Sequence, residues 1–427
     1  MNIVAGKLLE REQSKGSLES LRDMVLKTLS KEPLDIVRVV DACDALSKML
    51  NEFEHLPVMM RLGLDEKKAV EQLAEVKWML SRAYLMNKLK TELGEGHPRL
   101  YAPQNYTGEV REEIRPLGVL LHIAAGNAQG LPVFSVIEGL LAGNINILKL
   151  PGMDDGVSVR LLRELIRIEP LLAEYIYVFD YPSEDIESIR KMAEAADAVV
   201  VWGSDQTVRA VRQLAGENMK IIEWGHKISF AYITRLGMED THELKNLAHN
   251  ICDTDQLLCN SCQGIFLDTD DMEEVYSFCG RFLQILNHVS ALYPQSYDIG
   301  LRAQITLQLR SMEIEAVLGG NRIFRGNGCS LAALSGEGTQ ESMLFRNCWV
   351  KRLPRERILE VLAQDKNRLQ TLCLVCSAGE RKELSELFSR TGVVRIARAE
   401  NMSRNYAGAP HDGEYALRKY TKIITFE

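Results

Sequence analysis

Several things are missing from this sequence, and each absence excludes a class of protein. No apolar run reaches the ~20 uninterrupted residues of a membrane-spanning helix. The opening residues MNIVAGKLLEREQSKG carry charges where a secretory signal needs an apolar core, so a cytoplasmic location is expected, with no integral membrane segment. Positive charge is not in excess: the formal net charge is −8 over 427 residues, which argues against nucleic acid as the main partner. The GxGxxG fingerprint of many dinucleotide-binding folds does not follow the first apolar strand. Zinc spacing is absent too. Of the nine cysteines, Cys259/Cys262 and Cys373/Cys376 form CxxC pairs, but they stand far beyond the ~15–20 residues that separate the halves of a structural zinc site. No metal site is expected, and scattered cysteines in a reducing compartment read as free thiols. No internal repeat or low-complexity linker divides the chain.

What is present is ordinary in composition, 46% hydrophobic and 26% charged, and long enough for two domains. Its most informative stretch runs from Gly118 to Pro151, GVLLHIAAGNAQGLPVFSVIEGLLAGNINILKLP, where Glu138 and Lys149 are the only formal charges. Gly126, Gly130, Pro132, Gly139, Gly143 and Pro151 cut it into short pieces. The pieces read as strand (Val119–Ala124), loop, helix (Pro132–Ala142) and strand (Ile145–Leu150), a buried βαβ unit. The alternation continues through the strands IYVFDY, DAVVVWG and KIIEWG, with amphipathic helices between them; Ser183 is the expected N-cap of the helix SEDIESIRKMAEAA. Strand–helix alternation implies a parallel sheet with helices on both faces, and such sheets bind ligands at the carboxyl ends of their strands. Those ends are Gly126-Asn127, Lys149, Asp180, Gly203-Ser204 and Glu223. Gly203-Ser204 opens a helix, and free N–H groups there suit a phosphate, although Ser204 reads equally as a plain N-cap.

Residues 1–97 carry helical periodicity, and RLYAPQNY with EVREEIRPLGV reads as a hairpin. A second α/β lobe follows residue 250. It contains DTDQLLCNSCQGIFLDT, two cysteines in a short polar loop before the strand Gly264–Leu267. The C-terminal KYTKIITFE alternates like a strand.

These pieces, in this order, resemble the aldehyde dehydrogenase superfamily, and within it the acyl-CoA reductases related to the fatty-acid reductases of bacterial bioluminescence. The Asn loop is matched by Ala125-Gly126-Asn127-Ala128, and the "GN-apolar-K-P" strand by Gly143 to Lys149, with Pro151 one place late. Gly203-Ser204 matches the "GS" turn, and Glu223-Trp224-Gly225-His226-Lys227 the "E-L-G-G-K" element, with His226 in place of a glycine. Gln256, Cys259, Ser261 and Gln263 fit Q-x-x-C-x-S-x-Q, and Tyr420-Thr421 the C-terminal "YT" strand. The likeness spans roughly residues 99–427.

The resemblance implies an α/β fold of aldehyde-dehydrogenase type. A Rossmann-type cofactor domain (1–98 and 118–250) is expected beside a catalytic domain (251–406). A small β element (99–117 and 407–427) would support a homo-oligomer by sheet extension. It also implies the activity: NADPH-dependent reduction of a fatty acyl thioester to an aldehyde through an acyl-cysteine. Cys259, rather than Cys262, is the expected nucleophile, Asn127 the oxyanion donor and Glu223 the general base. Lys149, Gly203, Ser204 and Gly225 would hold the cofactor. NADPH is preferred over NADH because Gly152 stands where some NAD-preferring members carry an acid, and its absence relieves repulsion of a 2′-phosphate. The implied acyl donor is acyl-CoA or an acylated carrier or synthetase protein. Other readings stay open on the residues alone. NAD(P)-dependent aldehyde oxidation would use the same groups, with Glu223 activating water. A non-catalytic subunit that binds a nucleotide or an acylated partner needs none of them. Lys149 reads also as a solvated strand end, Glu223 as a salt bridge, and Cys259 as a small buried residue.

Overall fold

A computed structural model describes residues 1–61, 65–95, 99–102, 107–124, 130–152, 156–216, 218–293 and 299–427. Its strands, in chain order, begin with β1 (Asn2–Val4), β2 (Lys7–Leu9), β3 (Arg99–Tyr101) and β4 (Val110–Pro116). Then come β5 (Val119–Ile123), β6 (Ile145–Lys149), β7 (Ile176–Phe179), β8 (Ala198–Trp202) and β9 (Lys220–Trp224). The remainder are β10 (Ile228–Ile233), β11 (Cys262–Leu267), β12 (Arg322–Arg325), β13 (Ser330–Ala333), β14 (Asn347–Arg352), β15 (Leu369–Val375), β16 (Arg395–Ala397) and β17 (Thr421–Phe426).

The chain forms two compact units, one of Met1–Leu62, Glu66–Gly225 and Tyr406–Glu427, the other of Gly63–Asp65 and His226–Asn405. The first unit is built on a sheet of order β2-β1-β7-β6-β5-β8-β9, in which β5 to β9 run parallel. The five alternating strands expected from the sequence are these five. Their order places β6 and β7 on one side of β5, and β8 and β9 on the other. The direction of winding therefore reverses between β5 and β8, the switch point where such sheets open a crevice for a ligand. Helix Val157–Ile168 buries Val159, Leu162, Leu165 and Ile166, the three-and-four spacing that fits one helix face to a sheet.

Three features differ from the sequence reading. Residues 2–9 form a hairpin whose β1 pairs antiparallel with β7, in a region read as helical. Its strands are too short for periodicity to register. The helix Ile186–Glu194 is capped by Asp185, whose carboxylate accepts the Ser188 N–H at 3.1 Å, so the expected cap at Ser183 is corrected. Finally, β10 and the helix Thr241–Thr254 belong to the second unit, whereas the boundary was expected near residue 250; β10 pairs with β11 and β15, not with β9.

The apolar Gly118–Pro151 stretch contains buried polar groups with specific partners. Glu138 meets Lys88 at 2.9 Å, and Lys88 also pairs with the fully buried Glu92. Glu92 accepts the Leu417 N–H at 2.9 Å, which fastens the C-terminal segment to this unit. Gly139 is obligatory: a Cβ there would lie 1.8 Å from Asn146 Oδ1. That close approach lets Asn146 reach His122 on β5. His122 Nε2 stands 2.9 Å from Asn146 Oδ1, and Nδ1 2.7 Å from Ser135 Oγ. The Asn146 amide nitrogen donates to the Asn144 carbonyl at 2.8 Å, which fixes its oxygen toward the ring. The ring proton therefore sits on Nε2 and Ser135 donates to Nδ1.

Burial pushes the His122 pKa down to about 4, against a smaller opposing effect of the Asn146 hydrogen bond. The folded value lies below the unfolded one. The stability held by neutral His122 is thus complete above pH 6.5, the ordinary value, and is lost as pH falls toward about 4. The loss should reach roughly 3 kcal/mol at the bottom of that window. Urea unfolding of parent and His122→Gln across this pH range checks it: the variant should show a smaller decline, and parallel curves would remove His122 as the cause.

The second unit has a sheet of order β12-β13-β14-β11-β10-β15-β16, parallel except for the β12–β13 hairpin. β17, β4 and β3 form an antiparallel sheet joining the C-terminal strand to the segment before β5. No helix among the described residues is long and apolar enough to cross a membrane.

Candidate active site

The loop that carries Cys259 is shaped by what lies on either side of it. Helix Thr241–Thr254 ends at Asp255 and Gln256, both left-handed, with φ 45° and 64°. Non-glycine residues take that conformation at a cost, and it persists only where neighbours hold it. Both side chains are buried and held. Asp255 accepts from Arg346 Nε at 2.7 Å, and Gln256 Oε1 accepts the Asn347 N–H at 2.9 Å. The Gln256 amide nitrogen donates to the Cys262 carbonyl at 2.8 Å, which closes the base of the loop on itself.

The partner segment is strained as well. Leu344, Phe345 and Arg346 are three successive left-handed residues, with φ 60°, 48° and 68°. Arg346 is fully buried and also donates to the Ser290 carbonyl and hydroxyl and to the Tyr293 carbonyl. Two unfavourable backbone turns are thus locked together by a buried ion pair and an amide.

Within the loop, Ser261 closes a turn with Leu258, and Ser403 Oγ donates to the Asn260 carbonyl at 3.1 Å. Ser229 Oγ donates to the Cys259 carbonyl at 2.7 Å, and Gln370 Nε2 lies 3.3 Å from the Cys259 sulfur. Gln263 Oε1 accepts the Ser342 N–H at 3.0 Å. Three members of the sequence pattern, Gln256, Ser261 and Gln263, therefore shape the loop, while the fourth is presented by it. Cys259 is exposed. Cys262 is buried at the start of β11, its thiol donates to the Gly264 carbonyl at 3.3 Å, and burial pushes its pKa well up. Asp255 lay in the segment DTDQLLCNSCQGIFLDT singled out in the sequence, but Arg346, Ser229 and Gln370 carried no signal there: their partners lie 30 to 111 residues away.

The strand ends of the first unit hold the other candidates. Lys149 is not a solvated strand end. It is buried, with Nζ 3.0 Å from Ser183 Oγ, and burial lowers its pKa against the pull of Glu184 and Asp180. Ser204 caps the helix Asp205–Leu214, accepting the Thr207 N–H at 3.3 Å, beside the switch point of the sheet. Glu223 on β9 is in a salt bridge: both its oxygens face Arg212, at 2.5 and 2.8 Å. Gly225 follows β9, and a Cβ there would meet nothing within 4 Å among the described residues. Asn127 lies outside the described residues. Among those residues no cluster of His, Cys, Asp or Glu could hold a metal ion.

The fold has many relatives of known structure. A bifunctional proline utilization A protein superposes with a TM-score of 0.73 at 17% identity, covering 98% of this chain and 45% of the other. A 3,6-anhydro-L-galactose dehydrogenase gives 0.71 at 13%, covering 100% and 99%, and a lactaldehyde dehydrogenase 0.71 at 14%, covering 100% and 95%. The architecture is that of the aldehyde dehydrogenases. The profile of the acyl-CoA reductase (LuxC) family matches residues 32–423. The chain belongs to that family. It is an oxidoreductase acting on acyl or aldehyde groups. Long-chain acyl-protein thioester reductases from Photobacterium phosphoreum and Vibrio harveyi are 24% and 23% identical to this acyl-CoA reductase family member. The alignments cover 81% and 82% of the chain and 70% and 72% of those proteins.

Proposed function

We propose that the protein reduces a long-chain acyl thioester to an aldehyde with NADPH, through an acyl group carried on Cys259. The observation that carries this reading is the exposed Cys259 on a loop held rigid at both ends, in a member of the acyl-CoA reductase family. The relatives are long-chain acyl-protein thioester reductases, and their activity supplies the substrate class. Half-exposed Leu257 and Leu258 next to the cysteine suit an apolar chain. The acyl group would come from acyl-CoA or an acylated carrier protein.

The Cys259 thiolate attacks the acyl carbon and forms a C–S bond. An Asn127 amide, placed by resemblance, and the Cys259 N–H hold the oxyanion; one such donor is worth about 3 kcal/mol. The tetrahedral adduct collapses, the donor leaves as its own thiolate, and acyl-Cys259 remains. Bound NADPH supplies the hydride that the acyl carbon must accept. Hydride addition leaves the thiohemiacetal on Cys259 as its alkoxide; the carbonyl re-forms as the C–S bond breaks, aldehyde departs and the Cys259 thiolate is restored.

The residues suit the cofactor. The helix N-terminus at Ser204, the open space over Gly225, and Lys149 would hold its phosphates and ribose. Among the described residues nothing lies within 4 Å of a Cβ at Gly152, which suits a 2′-phosphate.

Aldehyde oxidation is the rival. It needs a base to activate water on the acyl-enzyme, and Glu223 could serve only by giving up its two-oxygen pairing with Arg212. Reduction by acyl transfer has no hydrolytic step, so that pairing supports reduction. The test mixes protein, NADPH and a long-chain acyl-CoA. We expect NADPH consumption matched by aldehyde. Turnover of aldehyde with NAD, but none of acyl-CoA with NADPH, would reject the proposal.

A further inference from the structure

The second sheet is irregular at one place. β10 pairs with β11 through Ser229 opposite Cys262 and Phe230 opposite Gly264, so β11 carries one extra residue, Gln263. On its other side β10 pairs Ile228 with Leu369 and Phe230 with Leu372, so Ser229 faces two residues, Gln370 and Thr371. Both neighbours of β10 thus bulge at Ser229. Bulges are rare in parallel pairs, and they commonly re-aim a side chain beside a functional site.

The outcome is a bracket around one cysteine. The bulge in β15 carries Gln370, nearly buried, with its amide nitrogen 3.3 Å from the Cys259 sulfur. Its amide oxygen lies 3.4 Å from Ser229 Oγ. Ser229 has a single proton, donated at 2.7 Å to the Cys259 carbonyl, and its oxygen accepts the Thr371 N–H at 3.0 Å. One serine therefore ties the backbone of the cysteine to the bulged strand that carries Gln370.

We propose that Gln370 is a positioning residue for Cys259: its amide N–H, aimed by the double bulge at Ser229, holds the sulfur in place and favours its thiolate. A thiolate can only accept, and an amide N–H is a donor that stays neutral and oriented at every pH the enzyme meets. A hydrogen bond to the charged form favours that form. No recognised sequence pattern contains Gln370, which lies 111 residues after the cysteine it touches. This inference rests on the reading of Cys259 as the nucleophile, but its test does not need turnover.

The experiment follows alkylation of Cys259 by iodoacetamide against pH in the full-length protein, with no thioester or nucleotide added, and reads the Cys259 peptide by mass spectrometry. Gln370→Leu keeps the volume and removes the donor. We expect alkylation near neutral pH to slow by about tenfold, with the profile displaced to higher pH and rates converging where the thiol is fully ionised, as loss of one charge-assisted hydrogen bond requires. A merely structural role would not move that profile. If Gln370→Leu does not fold, Gln370→Asn is used, which keeps an amide too short to reach the sulfur and should shift the profile in the same direction. A profile coincident with the parent's in the folded variant overturns the proposal. If the shift appears and acyl-CoA is not reduced, the functional reading fails while Gln370 keeps its role. Normal reduction with no shift removes the role of Gln370 and leaves the functional reading standing.

Discussion

Cys259→Ser should lose covalent labelling by a radiolabelled long-chain acyl-CoA, and its NADPH-dependent turnover should fall by roughly 10⁴-fold or more, the scale seen when an enzyme loses its nucleophile. Cys262→Ser should keep both to within a few-fold. The difference follows from two environments only three residues apart. Cys259 is exposed, and an amide donor faces its sulfur. Cys262 is sealed at the start of β11, where its thiol proton is engaged by the Gly264 carbonyl and burial opposes the charged form. Attack needs a thiolate with access to the acyl carbon, and Cys262 has neither. Equal labelling of parent and Cys259→Ser would remove Cys259 from the mechanism and favour a subunit that binds acyl partners without chemistry. Labelling lost only in Cys262→Ser would move the assignment.

Arg346→Met should destabilise the protein strongly, by about 3–5 kcal/mol. The loss is not that of a favourable ion pair. A methionine leaves the Asp255 carboxylate buried without its guanidinium, together with the Ser290 and Tyr293 groups that Arg346 satisfies. Arg346→Lys should recover only part of the stability, since one ammonium cannot reproduce a planar fork that contacts several acceptors. The left-handed residues 255–256 and 344–346 would then lack the clamp that offsets their strain. Denaturant unfolding, with hydrogen exchange of β11 and β14 to report on the second unit, measures the effect. A loss below about 1 kcal/mol would show that the clamp is not what holds the cysteine loop.

Much of this was legible in the sequence, for reasons that differ from residue to residue. The strands β5 to β8 could be read because strands covered on both faces are largely apolar, and the edge strand β9 because it continues the strand–helix alternation. The ends of those strands could be read because topology, not side-chain detail, decides where they point. The cysteine loop could be read as a pattern, but not what the pattern does. Gln256, Ser261 and Gln263 looked like neighbours of a reactive group and are its frame. Arg346, Ser229 and Gln370 were illegible because their meaning lies in contacts between distant strands. The Glu223–Arg212 pair was legible only as an alternative, since a strand-end carboxylate reads the same until the facing helix is seen. The hairpin β1–β2 and the helix Ile299–Gly319 escaped for opposite reasons: one is too short for periodicity, and the other exposes Leu307 and Ile314 and so blurs its apolar face.

The discontinuity of the first unit sets an order of assembly. Ala416, Leu417 and Tyr420 belong to the hydrophobic core of that unit, and Glu92 holds the backbone N–H of Leu417. During synthesis the whole of His226–Asn405 leaves the ribosome before those residues do. The second unit, nearly continuous in sequence, can close while the first still waits for its last core side chains, so the cysteine loop is framed before the core of the first unit is complete.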